Sequence, residues 1–427
     1  MLLLKKKIAQ LINPEYSMKR LFSLISKFLL LVILLMVTVF FLIYAFAPVY
    51  EFVEPEPFSG EQIHNPYQGM DNSLWKKGNF QIQSRVWLGL TDGRKNEPKA
   101  IFAVYRQLGY DIITITDYMK INPYGVNEVG YVSAYEHGYG LRKTHQVCLG
   151  TNKVTWLDYP FYQNLSHKQH ILNTLRPHNE VVCIVHPKVR RGYEPEDMRL
   201  LCNYDLLEAV SHYVVSLNYW DAALTSGHPV YIISNDDSHD VLDPTKVGRY
   251  CTYINTGSLE ENEILAALKA GKAYGAFVNM LEGADFYQKA EDHRKVPVLK
   301  SVEVVGSNLT VEVSEIASAI KFVGQNGMIR KVASNTTTAS YELLGNDPYI
   351  RTEILFPNNT QFYLNPVIRH DGNGPEKPVP PKINWVKTWL LRGIALLITL
   401  LIAWLILKLR KIKPSKAPKT FRQSFYH

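Results

Sequence analysis

Pro98-Lys-Ala-Ile-Phe-Ala-Val-Tyr-Arg-Gln-Leu-Gly-Tyr-Asp-Ile-Ile-Thr-Ile-Thr-Asp117 carries the chain from a helix into a strand within 20 residues. Ile101, Val104, Tyr105 and Leu108 fall on one face of a 3.6-residue period. Gly109 suits the left-handed stop of that helix. Residues 111–116 then read as a buried, β-branched strand that ends on Asp117. The same alternation extends from about residue 80 to 277, with apolar strands at 181–185, 206–210 and 230–234. Ser258 and Glu261 form a capping box before Ile264, Leu265 and Leu268, and Gly271 closes that helix. Strands alternating with helices predict an α/β fold on a parallel sheet, open or closed into a barrel. Such folds bind ligands at the C-terminal ends of their strands.

Polar residues of metal-ligand type sit at or near those strand ends. His186 follows the 181–185 strand, and Pro187 stops it. Asp237 and His239 follow the 230–234 strand at a spacing of two, which puts both on one face of extended backbone. Glu136 and His145 lie in the loop-like Tyr135-Glu-His-Gly-Tyr-Gly-Leu-Arg-Lys-Thr-His145. One such histidine alone is more often a hydrogen-bonded structural residue. Five ligand-type residues at successive strand ends point to a site. Mixed carboxylate and imidazole donors suit Zn, Mn or Fe better than Ca or Mg alone.

The chain also resembles the PHP (polymerase and histidinol phosphatase) metallohydrolases, in particular the branch with carbaryl hydrolase and an extra C-terminal β-domain. The resemblance covers roughly residues 75–370. It rests on Asn79-Phe-Gln-Ile-Gln83, Thr91-Asp-Gly93, the 108–117 stretch, Tyr135-Glu-His137, Val185-His-Pro187 and Asn235-Asp-Asp-Ser-His239. It implies a distorted seven-stranded (β/α)7 barrel with metal ions at the C-terminal strand ends, followed by a small all-β sandwich. It also implies metal-dependent hydrolysis of a phosphoester or related ester. Carried over by position, one ion falls to Glu136, His145 and His186, and this set is complete. A second shares Glu136 and adds Asp237, but the expected histidines read Gln81 and Gln83. A third keeps Asp92 and His239, while Tyr118 replaces its middle histidine. An amide oxygen suits hard cations and is a poor substitute for imidazole on Zn or Mn. The expectation is therefore one or two ions rather than three. Asp237, His239 and Asp117 are the candidate catalytic groups, although Asp117 and Asp236 also suit capping of strand ends. Lys188, Arg190 and Arg191 are candidate phosphate clamps or a solvated basic loop. The missing histidines leave a second reading open, a pseudoenzyme that binds a ligand or a partner in the cell envelope.

Two apolar stretches, 28–47 and 388–407, have the length of membrane spans, each flanked by basic residues and by tryptophan or tyrosine. The basic ends, 1–27 and 408–427, predict two cytoplasmic termini and a periplasmic or extracellular domain on a two-pass protein of the cell (inner) membrane. A linker covers 48–74, the barrel 75–277, the β-sandwich 278–370, and a Pro-rich tether 371–387. The formal charge of +8 comes from the ends. Of 47 Lys and Arg against 39 Asp and Glu, the region between the spans keeps 33 against 38, near −5. That balance excludes a nucleic-acid reading based on pI. The expected partners are the bilayer and a small or membrane-associated phosphoester. Cys148, Cys183, Cys202 and Cys251 allow three disulfide connectivities, with a buried free thiol as the alternative for Cys183.

Overall fold

A computed structural model describes residues 14–90, 93, 95–372 and 374–411. The chain divides into two units, Tyr50–Lys382 and the two ends that flank it. The ends contain two long apolar helices, Pro14–Ala45 and Trp385–Lys411. Their spans Leu21–Ala45 and Trp385–Lys408 are long and apolar enough to cross a membrane and are compatible with doing so. Within this unit, the Arg392 guanidinium donates to the Phe46 carbonyl (2.8 Å) and lies over the Trp389 ring. Its charge thus sits at the end of the first apolar helix, near the polar boundary of the span.

The central unit is mixed α/β. Helix Pro98–Gln107 forms as its periodicity predicts, burying Ile101, Phe102, Val104 and Tyr105, and Gly109 takes φ +74°. The strands are β1 (Trp75–Ile82), β2 (Ile112–Ile115), β3 (Ala134–His137), β4 (Gln146–Thr151), β5 (Asn179–Ile184), β6 (Leu206–Ser211) and β7 (Tyr231–Asn235). They continue as β8 (Tyr250–Asn255), β9 (Ala273–Phe277), β10 (Leu299–Val305), β11 (Asn308–Val323), β12 (Ile329–Glu342), β13 (Tyr349–Leu355) and β14 (Gln361–His370). One sheet runs β3-β4-β5-β6-β7. The other runs β10-β11-β13-β14-β9-β8-β1-β2, with β12 on β11 and a short strand, Gln62–His64, on β14. Two single parallel bridges, Tyr118 with Glu136 and Ile82 with Ser238, link the sheets. Single bridges therefore join these two larger sheets in place of one continuous barrel ladder.

Pairing is less parallel than the alternation suggests. Among the described strands only β1/β2, β5/β6 and β6/β7 pair in parallel. β3, β4 and β5 are antiparallel because the connections from β3 to β4 and from β4 to β5 return the chain along the neighbouring edge. The sheet also runs on across residue 277. β9 pairs with β14, Tyr274 opposite Leu364 and Ala276 opposite Phe362, and these side chains share one core. The C-terminal strands thus extend the larger sheet. A buried ion pair fastens them to helix Leu217–Thr225: Arg351 grips Asp221 with two bonds (2.7 and 2.9 Å) and Glu353 with a third (2.6 Å). Removing one partner would strand a buried charge, at about 3–5 kcal/mol.

The expected capping box does not form. The N-cap is Glu260, and the Glu261 carboxylate turns to accept from the backbone N–H and hydroxyl of Ser133 (2.7 and 2.6 Å). A long-range partner has outcompeted the local one. All four cysteines are buried free thiols.

Candidate metal centre

The smaller sheet delivers three donors to one point. Glu136 lies on β3, His145 immediately precedes β4, and His186 lies two residues beyond β5. Because β3 runs antiparallel to β4, and β4 to β5, these positions meet at the same edge. One ligand atom from each residue lies within 4.8 Å of the others, and all three residues are buried. Glu136 Oε1 contacts His145 Nδ1 directly and lies 3.4 Å from His186 Nε2. His186 holds φ +32°, a strained backbone for a non-glycine residue that its surroundings must enforce. Gly138 makes room for His145: it takes φ +120°, and a Cβ there would meet His145 Cδ2 at 2.7 Å.

Burial alone would raise the Glu136 carboxyl, but the two imidazoles outweigh it and hold it well below the usual carboxylate range. Burial lowers His145, which favours the neutral, ligating imidazole. A buried carboxylate and two imidazoles with converging lone pairs fit a divalent cation. Among the described residues His186 Nδ1 has no hydrogen-bond partner, so the second shell that usually orients a ligating ring comes through the backbone. The His186 N–H donates to Glu208 Oε2 (3.2 Å), and Asn235 Nδ2 donates to Glu208 Oε1 (2.9 Å). Burial pushes the Glu208 carboxyl up to about 7.

The other expected ligands sit differently. Gln83 donates its amide to Glu136 Oε2 and so occupies the second carboxylate oxygen. Gln81 is fully buried, and among the described residues neither amide atom has a hydrogen-bond partner. The Tyr118 ring packs on His145 (centroids 5.4 Å apart) and lies 6.5 Å from His239. Among the described residues, Glu136, His145 and His186 form the single group of three or more metal-type ligands, so Asp237 and His239 do not join it. These two pair with each other: His239 Nδ1 is 2.8 Å from the Asp237 carbonyl and 3.8 Å from its carboxylate, with the Tyr213 hydroxyl at 3.3 Å. Asp92 lies outside the described residues.

Asp117 accepts from the Ser84 N–H (2.7 Å), the Ser84 hydroxyl (2.9 Å) and Asn122 (2.7 Å). Asp236 accepts from the N–H groups of Gly248, Arg249 and Tyr250, from Tyr105 and from Asn79. Both carboxylates thus organise loops, Asp236 as the hub of a buried network. Lys188, Arg190 and Arg191 are exposed; Arg190 donates to the Leu141 carbonyl (3.3 Å) and Arg191 pairs with Glu194 (3.0 Å). The sequence reading missed Glu208 and Lys143. Glu208 was detectable as the lone charge in the apolar Leu206-Leu-Glu-Ala-Val210 run. Lys143 carried no signal, because its place beside the site depends on how its loop closes.

No protein-family model and no curated protein matches this chain. A solved structure from Bacteroides vulgatus ATCC 8482, a two-domain protein containing a predicted PHP-like metal-dependent phosphoesterase, is 11% identical. The alignment covers 76% of this chain and 93% of that one, with a TM-score of 0.36, which is too low to assign a family or an activity.

Proposed function

We propose that this chain is a PHP-type, metal-dependent phosphoester hydrolase, held at a membrane by both ends with its catalytic domain outside the cytoplasm. One observation carries the reading: the buried donors of Glu136, His145 and His186 lie within 4.8 Å of one another. They would hold a single Zn, Mn or Fe ion. When bound, such an ion supplies an acidified water and polarises the phosphoryl oxygen. A second ion is disfavoured by Gln83, whose amide already engages the other Glu136 oxygen. His239 is the proton carrier in this proposal. With its Nδ1 proton directed at the Asp237 carbonyl, Nε2 is the basic nitrogen. The basic terminal segments support the membrane orientation.

The test is turnover of p-nitrophenyl phosphate by the full chain in nanodiscs, with Mn or Zn added. Metal-dependent release that His186→Ala abolishes supports the reading, and absence of both bound metal and release overturns it. The pseudoenzyme reading is favoured by Gln83 on Glu136 and by Tyr118 against His145. It requires a bound ion without turnover under the same conditions.

A further inference from the structure

We infer that the cleft beside His145 receives the apolar chain of an amphiphilic phosphoester, so that the site takes a lipid-type phosphate ester in preference to a small polar one. The phosphate end of this inference rests on the hydrolase reading above; the apolar end rests on the cleft itself. The cleft has a volume of about 480 Å³ and is walled by Trp87, Leu90, Tyr118, Tyr139 and Trp156, with Lys143 and His145 at one side. That volume is of the size that holds a small-molecule ligand.

The walls are unusual for a surface. Leu90 is 86% exposed, Trp156 58% and Trp87 44%, and the neighbouring Leu88 is 98% exposed. Contiguous exposed apolar side chains of this size mark a binding surface. They are also held in place. The Trp87 indole donates to the Tyr118 carbonyl (2.8 Å), its ring meets Trp156 edge-on (6.1 Å), and the Tyr139 hydroxyl reaches the Trp156 carbonyl (3.4 Å). With those polar atoms engaged by the protein, the rings present apolar surface to the cleft.

Charge complements this wall at the inner side only. Lys143 Nζ lies 5.2 Å from the Tyr118 ring centre, and that ring packs on His145. A cation beside the metal ligands suits a phosphate, and the aromatic wall beyond it suits a hydrocarbon chain. Because His145 belongs both to the ligand set and to the cleft, a chain in the cleft places its headgroup at the metal centre. A domain flanked at both ends by apolar helices of membrane-span length would meet such amphiphiles.

The experiment is calorimetric titration of the Mn-loaded full chain in nanodiscs with methyl, butyl and hexyl phosphate, each below its micelle concentration. Burying a methylene contributes up to about fourfold in affinity, so hexyl phosphate should bind at least about tenfold more tightly than methyl phosphate. Leu90→Asp, at a position too exposed to unfold the protein, and Trp156→Ala should each cut that ratio below about threefold. Equal binding across the series, or a ratio that survives both substitutions, overturns the inference. Chain-length-dependent binding without phosphate release upholds the cleft and defeats the hydrolase reading. Release from methyl phosphate with a flat series does the reverse.

Discussion

The two sides of the site share strand-end geometry and differ in donors. On the β3-β4-β5 side, Glu136, His145 and His186 converge and are complementary in charge. On the β1 side, Gln81 lies where the pairing of β1 with β2 shifts register between Asn79 and Ile82, and Gln83 directly follows the strand; the Gln83 amide leans on Glu136, and among the described residues the Gln81 amide has no partner. The contrast teaches that neighbouring strand ends of one fold can present donors of different chemistry. Backbone ladders and packing hold β1 whether its inward side chains are imidazoles or amides.

The largest break in this comparison should come from Glu136→Ala, which removes the carboxylate that both imidazoles and Gln83 engage. We expect ion affinity to fall by at least about 100-fold, measured by competition with a chromogenic chelator. A smaller loss would mean that the two histidines bind without it. Gly138→Ala attacks the same side indirectly, by driving a methyl into His145. An affinity loss of about 10- to 100-fold is expected, together with a lower Tm because alanine is strained at φ +120°, and unchanged binding would show that His145 has room to shift.

The opposite side can be sharpened by repair. The double substitution Gln81→His and Gln83→His should raise bound ions from about one to about two per chain, with phosphatase turnover rising about tenfold. Elemental analysis with a p-nitrophenyl phosphate assay reads both. A stoichiometry that stays at one would place the deficit in Tyr118 or in the surrounding backbone.

Glu208→Gln should have the smallest effect on the ion, below about tenfold, because an amide oxygen still accepts the His186 N–H. Its effect on stability is larger and has a definite sign. The folded protein raises this carboxyl from 4.5 to about 7 by burial, so the folded state favours the neutral acid. Stability from that acid is present below 4.5 and is lost as pH rises through 7. In metal-free protein the variant should therefore gain on the wild type by about 3 kcal/mol above pH 7, as read by denaturant unfolding. Parallel curves for the two proteins across that range would contradict the burial argument.

Much of this was legible in the sequence because it follows from local pattern. The helix over Pro98–Gln107, the apolar strands and the position of His186 come from periodicity and strand-end polarity, whereas Glu136 reads as part of a loop and lies on β3. What periodicity lacks is pairing partners. It therefore suggested a parallel sheet where β3, β4 and β5 are antiparallel, and a boundary at 277 where β9 pairs with β14. Glu261 looked like a capping residue because its long-range partner, Ser133, is invisible to a local window. Spacing sets Asp237 and His239 on one face of extended backbone, whereas the φ of +49° at Asp237 turns the backbone away from a simple strand. The aromatic cleft was illegible for the same reason, since Trp87, Tyr139 and Trp156 come from three segments separated along the chain.

The most direct test of the account is the divalent-ion content of the purified full chain, measured by mass spectrometry beside His145→Ala. The account expects about one tightly held ion per wild-type chain and less than about a tenth of that in the variant. A wild-type chain that retains no ion, or a variant that retains as much as the wild type, would contradict it.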